Sequence, residues 1–387
     1  MRHQNTVFHS VLKFIPQHSF ERLVAEHEGD YRVRRLTCWS QFVAMLYAQL
    51  SGAQSLRELV AAWASHGNLL YHLGAKEVKR STLSDANRER PAAMFAAVFD
   101  LLAPRLTRTL AGETHDLLRL IDPTFLRLNE TLSGWARFCV GTTGVKLHVV
   151  YDPRAVRPTY FTITPARVND IVEAKKMPIT PGATYVFDLG YYAFGWWARL
   201  DEQGCRFVTR LKSNSPVTVL VERTVGDDRI LSDREVRLSE RMARNRKNPC
   251  QRVLREIVVR VDDKKTLRLV TNDLQSSASE IADLYKARWQ IELFFKWVKQ
   301  NLRLKKFLGT SENAVKLQII IALIAFLLIR LAQHAWAPTR SLQDLARLIR
   351  ANLMHRKFIL QLLDPSRFRP SPPTDRQYDL DLAHAQS

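Results

Sequence analysis

The sequence predicts an α/β protein, a mixed β-sheet preceded by one helical region and followed by another. Three observations carry the prediction. Apolar residues recur at helical spacing through residues 1–110, the period shortens to that of strands from Leu117 onward, and helical spacing returns in the apolar stretch from Ala314 to His334. At 387 residues the chain has room for two or three domains that each bury a core. The pattern divides it into a helical N-terminal domain at 1–110, a sheet domain at 111–310 with a β-rich insertion at 198–273, a helical C-terminal region at 311–363, and a proline-bearing polar tail at 364–387 expected to be disordered.

Helices are expected at Val7 to Ile15, Phe20 to Val24, Cys38 to Leu50 and Pro91 to Leu106, where the apolar residues share one face. Ser55 and Glu58 have the spacing of a capping box, opening a helix through Leu56, Leu59, Val60 and Trp63 that ends near His66 and Gly67. The polar stretch from Lys79 to Arg90 is fit to open a short second helix. Two helices joined by a turn, the second rich in Ser, Thr, Asn and Arg, suit a DNA-reading unit, because hydroxyls and amides meet base edges and cations meet phosphates. The candidate contacts are Lys79, Arg80, Ser81, Thr82, Asn87 and Arg88, although a solvated helix pair has the same composition.

Leu117 to Asp122 is an apolar run ending in an acid, followed by Pro123, Thr124 and a second apolar stretch at Phe125 to Leu128. Val145 to Tyr151 and Thr159 to Thr164 read as strands around a proline-bearing turn, Asn169 to Lys176 as a helix, and Thr184 to Asp188 as another strand. Three strands, a helix and a strand are the opening order of an RNase H-like sheet. Asp122 and Asp188 each close an apolar run, which would hold a carboxylate rigidly at a sheet edge. Aspartates at strand ends also start turns, and Asp116 and Asp170 are acids close to the same runs. His148 reads as a core histidine. Farther on, Arg206 to Leu211, Val217 to Val221, Arg255 to Val261 and Leu267 to Thr271 read as strands, with a basic loop at Arg241 to Arg252.

Ser277 and Glu280 form a second capping-box spacing, from which one helix is expected to run to about Leu302. At about 100° per residue, Tyr285, Arg288, Glu292, Lys296 and Lys299 form one narrow stripe, so a single carboxylate lies among a phenol and cations. Leu284, Ile291, Phe295, Val298 and Leu302 form a neighbouring apolar stripe for a core. Solvated salt-bridge ladders use the same residue types. Arg303, Lys305 and Lys306 come next, a phosphate-facing cluster or cations favoured at a helix C-terminus. An amphipathic helix is expected over Leu342 to Leu363.

Lys and Arg number 58 against 38 Asp and Glu, for a net charge of +20. Such an excess favours a phosphate polymer or an anionic membrane as partner. The unbroken apolar run Ile319 to Ile329 falls short of the roughly 20 residues needed to span a bilayer, and it reads as a buried helix. The opening MRHQNTVFHS lacks the apolar stretch of a secretory signal, so a cytoplasmic, nucleoid-associated protein is expected. Cys38, Cys139, Cys205 and Cys250 are too dispersed for a zinc pair or a disulfide framework and read as reduced thiols.

The order Tyr285, two residues, Arg288, three, Glu292, six, Lys299 resembles the signature of the insertion-sequence-four family of DDE transposases, the YREK group. Ile121-Asp122-Pro123-Thr124 resembles that family's Asp-x-Thr motif, and Asp188-Leu-Gly-Tyr its Asp-x-Gly-Tyr motif. The resemblance implies an RNase H-like catalytic core, a helical N-terminal domain that binds the element's terminal repeats, and a β-rich insertion. It further implies a tryptophan in the insertion that stacks on a flipped base. Here no tryptophan lies between Trp197 and Trp289, so Trp196, Trp197 and Phe207 are the stacking candidates, with core packing as their alternative role.

Three carboxylates, Asp122, Asp188 and Glu292, can hold two Mg²⁺ ions, or Mn²⁺ in their place, through hard oxygen ligands. Tyr285, Arg288 and Lys299, with Lys296 beside them, would grip phosphates. The expected function is metal-dependent cutting and joining of double-stranded DNA at element ends and target, by a homodimer in the DNA complex, with no small-molecule substrate and no membrane. Two alternatives are a DNA-binding, repressor-like copy without catalysis and an RNase H-like nuclease that cuts without joining.

Overall fold

The computed structural model describes residues 5–110, 117–129, 134–139, 142–241, 247–262, 264–304, 306–357 and 359–363. Asp116, Lys305, part of the basic loop and the tail lie outside the described residues. Seven helices open the chain: α1 (Val7–Leu12), α2 (Gln17–Glu26), α3 (Cys38–Ser51), α4 (Leu56–Ser65), α5 (Gly67–Leu70), α6 (Arg80–Glu89) and α7 (Ala92–Leu110). Ser55 caps α4 as its spacing predicts, accepting from the Glu58 amide, while the Glu58 carboxylate takes the Gln54 amide rather than that of Ser55.

The sheet follows, with β1 (Leu118–Arg127), β2 (Arg137–Cys139), β3 (Thr142–Asp152), β4 (Arg157–Pro165), α8 (Asp170–Ala174) and β5 (Thr184–Val186). Next come α9 (Phe194–Glu202), β6 (Arg206–Arg210), β7 (Val217–Glu222), β8 (Ile230–Leu238), β9 (Leu254–Asp262) and β10 (Lys265–Thr271). The order across the sheet is β2-β3-β1-β5-β6-β10-β9-β8-β7, with β4 on β3. β3 runs antiparallel to β1, whereas β5 lies parallel to β1 and β6 parallel to β5. This is an RNase H-like sheet, and the inserted strands continue it through the antiparallel β10, β9, β8 and β7. Strands β2 and β8 and helix α9 are not expected from the sequence pattern.

Period-two alternation builds two cores. Leu120, Val149, Val186 and Val208 face one way, toward the helices that follow the sheet, and Ile121, Val150, Tyr185 and Phe207 face the other, toward Trp196 and Trp197 of α9. The C-terminal helices are α10 (Ala278–Ala287), α11 (Trp289–Asn301), α12 (Glu312–Trp336), α13 (Leu342–Asn352) and α14 (Ile359–Leu363). By length and composition α12 could cross a membrane, but it is apolar all round because it is buried all round, packed against α7, α3 and α6. Arg350 ties this assembly together, donating to the carbonyls of Leu50 and Asn301.

Three expectations need correction. The helix through Tyr285 and Lys299 is not continuous: α10 ends at Ala287 and α11 begins at Trp289, with Arg288 in a tightened turn whose amide bonds the Tyr285 carbonyl, three residues back, at 3.2 Å. The stretch from Leu342 to Leu363 also divides, into α13 and α14. Asp122 does not close its strand, because β1 continues through Pro123 and Thr124, paired with β3, to Arg127.

Candidate active site

Strand pairing brings the two aspartates together. Leu120 pairs with Val186 across the parallel β1–β5 ladder, and Asp122 and Asp188 each lie two residues beyond that pair. Asp188 sits past the end of β5, where its carboxylate caps a short 3-10 turn by accepting the Gly190 amide at 2.8 Å. A Cβ at Gly190 would crowd both carboxylates, standing 3.0 Å from Asp188 Oδ1 and 3.2 Å from Asp170 Oδ2. Glu292 approaches from the first turn of α11, which packs on β1. A cavity of about 390 Å³ opens between β1 and α11, lined by Asp122, Thr124, Glu292, Lys296 and Lys299.

Arg288 closes the inner end of this arrangement. Its Nη2 donates to Glu292 Oε1 at 2.7 Å and its Nη1 lies 3.6 Å from Asp122 Oδ2, while its Nε is buried without an acceptor. Tyr285 packs beside it, the guanidinium carbon 5.9 Å from the ring centre. Burial pushes the Asp122 carboxyl up to about 7 against the opposing pull of Arg288, and the charges of Asp188, Glu292 and Asp170 raise it further. Burial lowers the Lys299 ammonium and raises the Tyr285 phenol.

The transposase DDE domain matches residues 113–328, more than half of the chain. The chain belongs to the DDE transposases. A domain of unknown function, DUF4372, matches residues 3–76 of the transposase. A putative transposase, y4zB of Sinorhizobium fredii, is 40% identical over 75% of this chain and 81% of its own length. The probable transposase for insertion sequence element IS5377 of Geobacillus stearothermophilus is 29% identical over 74% and 79%. The transposase for IS231E of Bacillus thuringiensis is 23% identical over 54% and 55%. These relatives make it a transposase of the insertion-sequence-four type.

Other predicted residues of the transposase fall differently. Trp196, Trp197 and Phe207 are buried in the core beneath β5 and β6, which corrects their candidacy for base stacking. An exposed aromatic beside Arg288 is Trp289, 61% exposed, on the rim of a second cavity of about 340 Å³ with Tyr285, Lys286, Arg229 and Arg260. Along α6, Lys79, Arg80, Ser81, Thr82 and Arg88 are exposed, Arg88 paired with Asp85 and Glu89. Asn87 is a correction: it is buried, accepting from Gln41 at 2.8 Å, and cannot meet a base edge. Its spacing from Leu83 and Arg90, both buried, was the available signal. Arg303 and Lys306 are tethers, donating to the Gly52 carbonyl and the Gln54 side chain.

His148 is a core histidine as expected, Nε2 within 2.9 Å of the Thr164 hydroxyl and the ring held neutral by burial, which lowers it to about 4. Asp170 sits at the site, anchored by Lys146 at 2.8 Å and adding to the charge around Asp122. Tyr191 is the tyrosine of the Asp188 motif. It is fully buried, with its hydroxyl unpartnered in the field of Asp122, Asp170 and Asp188. Cys38, Cys205 and Cys250 are buried free thiols.

Among the described residues, no three His, Cys, Asp or Glu side chains converge closely enough to ligate one ion. The donor set nevertheless suits a hard divalent cation: every donor is a carboxylate oxygen, and a cationic guanidinium already bridges two of them.

Proposed function

We propose that this transposase cuts and joins DNA at the ends of its insertion sequence, with Asp122, Asp188 and Glu292 as its catalytic carboxylates. One observation carries the reading: the parallel β1–β5 ladder sets Asp122 and Asp188 each two residues beyond one strand pair, and Asp122 lines a cavity together with Glu292, Lys296 and Lys299 of α11. Asp122, Asp188 and Glu292 would hold two divalent cations, Mg²⁺ or Mn²⁺, which when bound supply charge stabilisation for an in-line displacement at phosphorus. Lys296 and Lys299 provide point charges for the phosphates flanking the reacting one, and Arg288 a bidentate fork. Tyr285 backs the Arg288 guanidinium with its ring. The exposed residues of α6, Lys79, Arg80, Ser81 and Thr82, contact the terminal repeat, and Trp289 gives an unpaired base a ring to stack on. The enzyme works in the bacterial cytoplasm on the nucleoid, as a homodimer on paired ends.

The test is cleavage and joining of the element's own inverted-repeat DNA with Mg²⁺, wild type beside Glu292→Ala. The reading expects nicked ends and joined products from the wild type alone. Ends bound but never cut would make the protein a repressor, and ends cut but never joined a nuclease.

A further inference from the structure

We infer that Arg288 is the built-in counter-cation of the unloaded site, and that its transfer from Asp122 and Glu292 to a DNA phosphate is what opens those carboxylates to divalent cations. The inference rests on the reading of Asp122, Asp188 and Glu292 as cation ligands. The guanidinium, its side chain 14% exposed, spans one oxygen of Asp122 at 3.6 Å and one of Glu292 at 2.7 Å. A cation between these residues needs the same oxygens, so the two occupancies compete.

The hold is also incomplete. Nε is buried with no acceptor, and the Asp122 contact is longer than the 2.7–2.9 Å of a charge-assisted hydrogen bond, so the arginine is not at a fully satisfied endpoint. Arg288 is the single residue between α10 and α11, its amide bonded to the Tyr285 carbonyl and its carbonyl to the Ile291 amide, so its transfer is a movement of the side chain on a held backbone. A phosphate offers a guanidinium two parallel acceptors at once. The adjacent cations Lys296 and Lys299 line the cavity but, among the described residues, pair with no carboxylate, so Arg288 alone has something to give up. DNA and metal would then load cooperatively, and an isolated protein would not carry a charged site able to cut at random.

The measurement is Mn²⁺ affinity, read from the paramagnetic resonance of the free ion, on full-length protein with and without a duplex of the terminal repeat already ending at the element boundary. Without DNA, Arg288→Gln is expected to bind Mn²⁺ about tenfold more tightly than wild type, within the range of ordinary coupling between sites. Lys296→Gln and Lys299→Gln, which remove the same charge without freeing an acid, should change it less. With DNA, the wild type should rise toward the Arg288→Gln value and that variant should gain little. Equal effects of the three substitutions, or an equal gain on DNA for wild type and Arg288→Gln, would overturn the inference.

Asp122→Asn separates the two layers of argument. If it binds Mn²⁺ like wild type, the cation-site reading itself fails; if it loses Mn²⁺ while Arg288→Gln stays neutral, only the counter-cation role fails. Should Arg288→Gln not fold, the wild type still decides the matter. Mn²⁺ must then raise DNA affinity by the factor by which DNA raises Mn²⁺ affinity, and a factor of one overturns the inference.

Discussion

Arg255 and Arg288 each lie against carboxylates, one among the inserted strands and the other at the head of α11, and they are held in opposite ways. Arg255 grips Asp233 with two bonds, Nε at 2.7 Å and Nη2 at 2.6 Å, their side chains 3% and 4% exposed, and it also donates to the Ser276 carbonyl. Arg288 divides itself between Asp122 and Glu292, side chains 14% and 32% exposed, and leaves a buried Nε unused. A bidentate, dry and fully bonded pair is a strut between β8 and β9 that has no better partner to find. A divided pair beside a cavity keeps its charges available, which a site that must exchange ligands requires.

The largest expected effect of breaking this contrast is on chemistry. Glu292→Gln and Asp122→Asn, which keep shape and remove charge, should each lower cleavage of inverted-repeat DNA on the order of a thousandfold, the scale of losing one preorganised electrostatic group. Far-ultraviolet circular dichroism should stay native. Asp233→Ala should do the converse: it strands a buried guanidinium and should cost about 3–5 kcal/mol in urea unfolding, while any molecules that remain folded cut at the normal rate. A variant of Asp233 that loses cleavage without losing stability would make the two pairs alike after all.

Acidity sharpens the same comparison. The Asp122 carboxyl is raised from an ordinary 3.8 to about 7 in the folded protein, so the folded state binds its proton more tightly than the unfolded chain does. That contribution to stability is full below about pH 4 and is lost as pH climbs through about 7. Three units correspond to at most about 4 kcal/mol, less where water reaches the carboxyl. Asp122→Asn should therefore be more stable than wild type at about pH 8 by urea unfolding, with the advantage gone near pH 4. A constant difference across that window would show that the carboxyl does not titrate there.

How much of this was legible depended on where each side chain finds its partner. Asp122, Asp188 and Glu292 stand out in the sequence through short motifs that resemble a family's, and the fold places them on β1, past β5 and on α11. The long apolar helix and the alternating strands were readable because burial follows period. Strand β8, Ile-Leu-Ser-Asp-Arg-Glu-Val-Arg-Leu, was not, since its buried Asp233 is answered by Arg255 on another strand and nothing local announces that partner. Arg288 was placed on the right face, but a helical projection cannot say that its guanidinium folds back onto acids rather than outward to solvent. Asp170 has no motif around it in the sequence; the packing of α8 against the turn after Asp188 brings it there.

The smallest expected effects lie on α6, where the contrast between committed and available polar groups recurs along one short helix. Asn87 is committed: it accepts from Gln41, donates to Met45 Sδ, and its carbonyl receives the Asn313 amide. Asn87→Ala should thus cost stability, about 1–3 kcal/mol for leaving Gln41 unanswered, without altering DNA binding by the molecules that stay folded. Lys79 and Arg80 are exposed and lie at the N-terminal end of the same helix. Replacing either by Ala should leave urea unfolding unchanged while lowering the slope of log affinity against log salt by about one, the signature of one lost phosphate contact. If both lysine and arginine variants keep the wild-type salt slope, α6 is a structural helix on both faces, and the terminal repeat must be read elsewhere on the N-terminal helices.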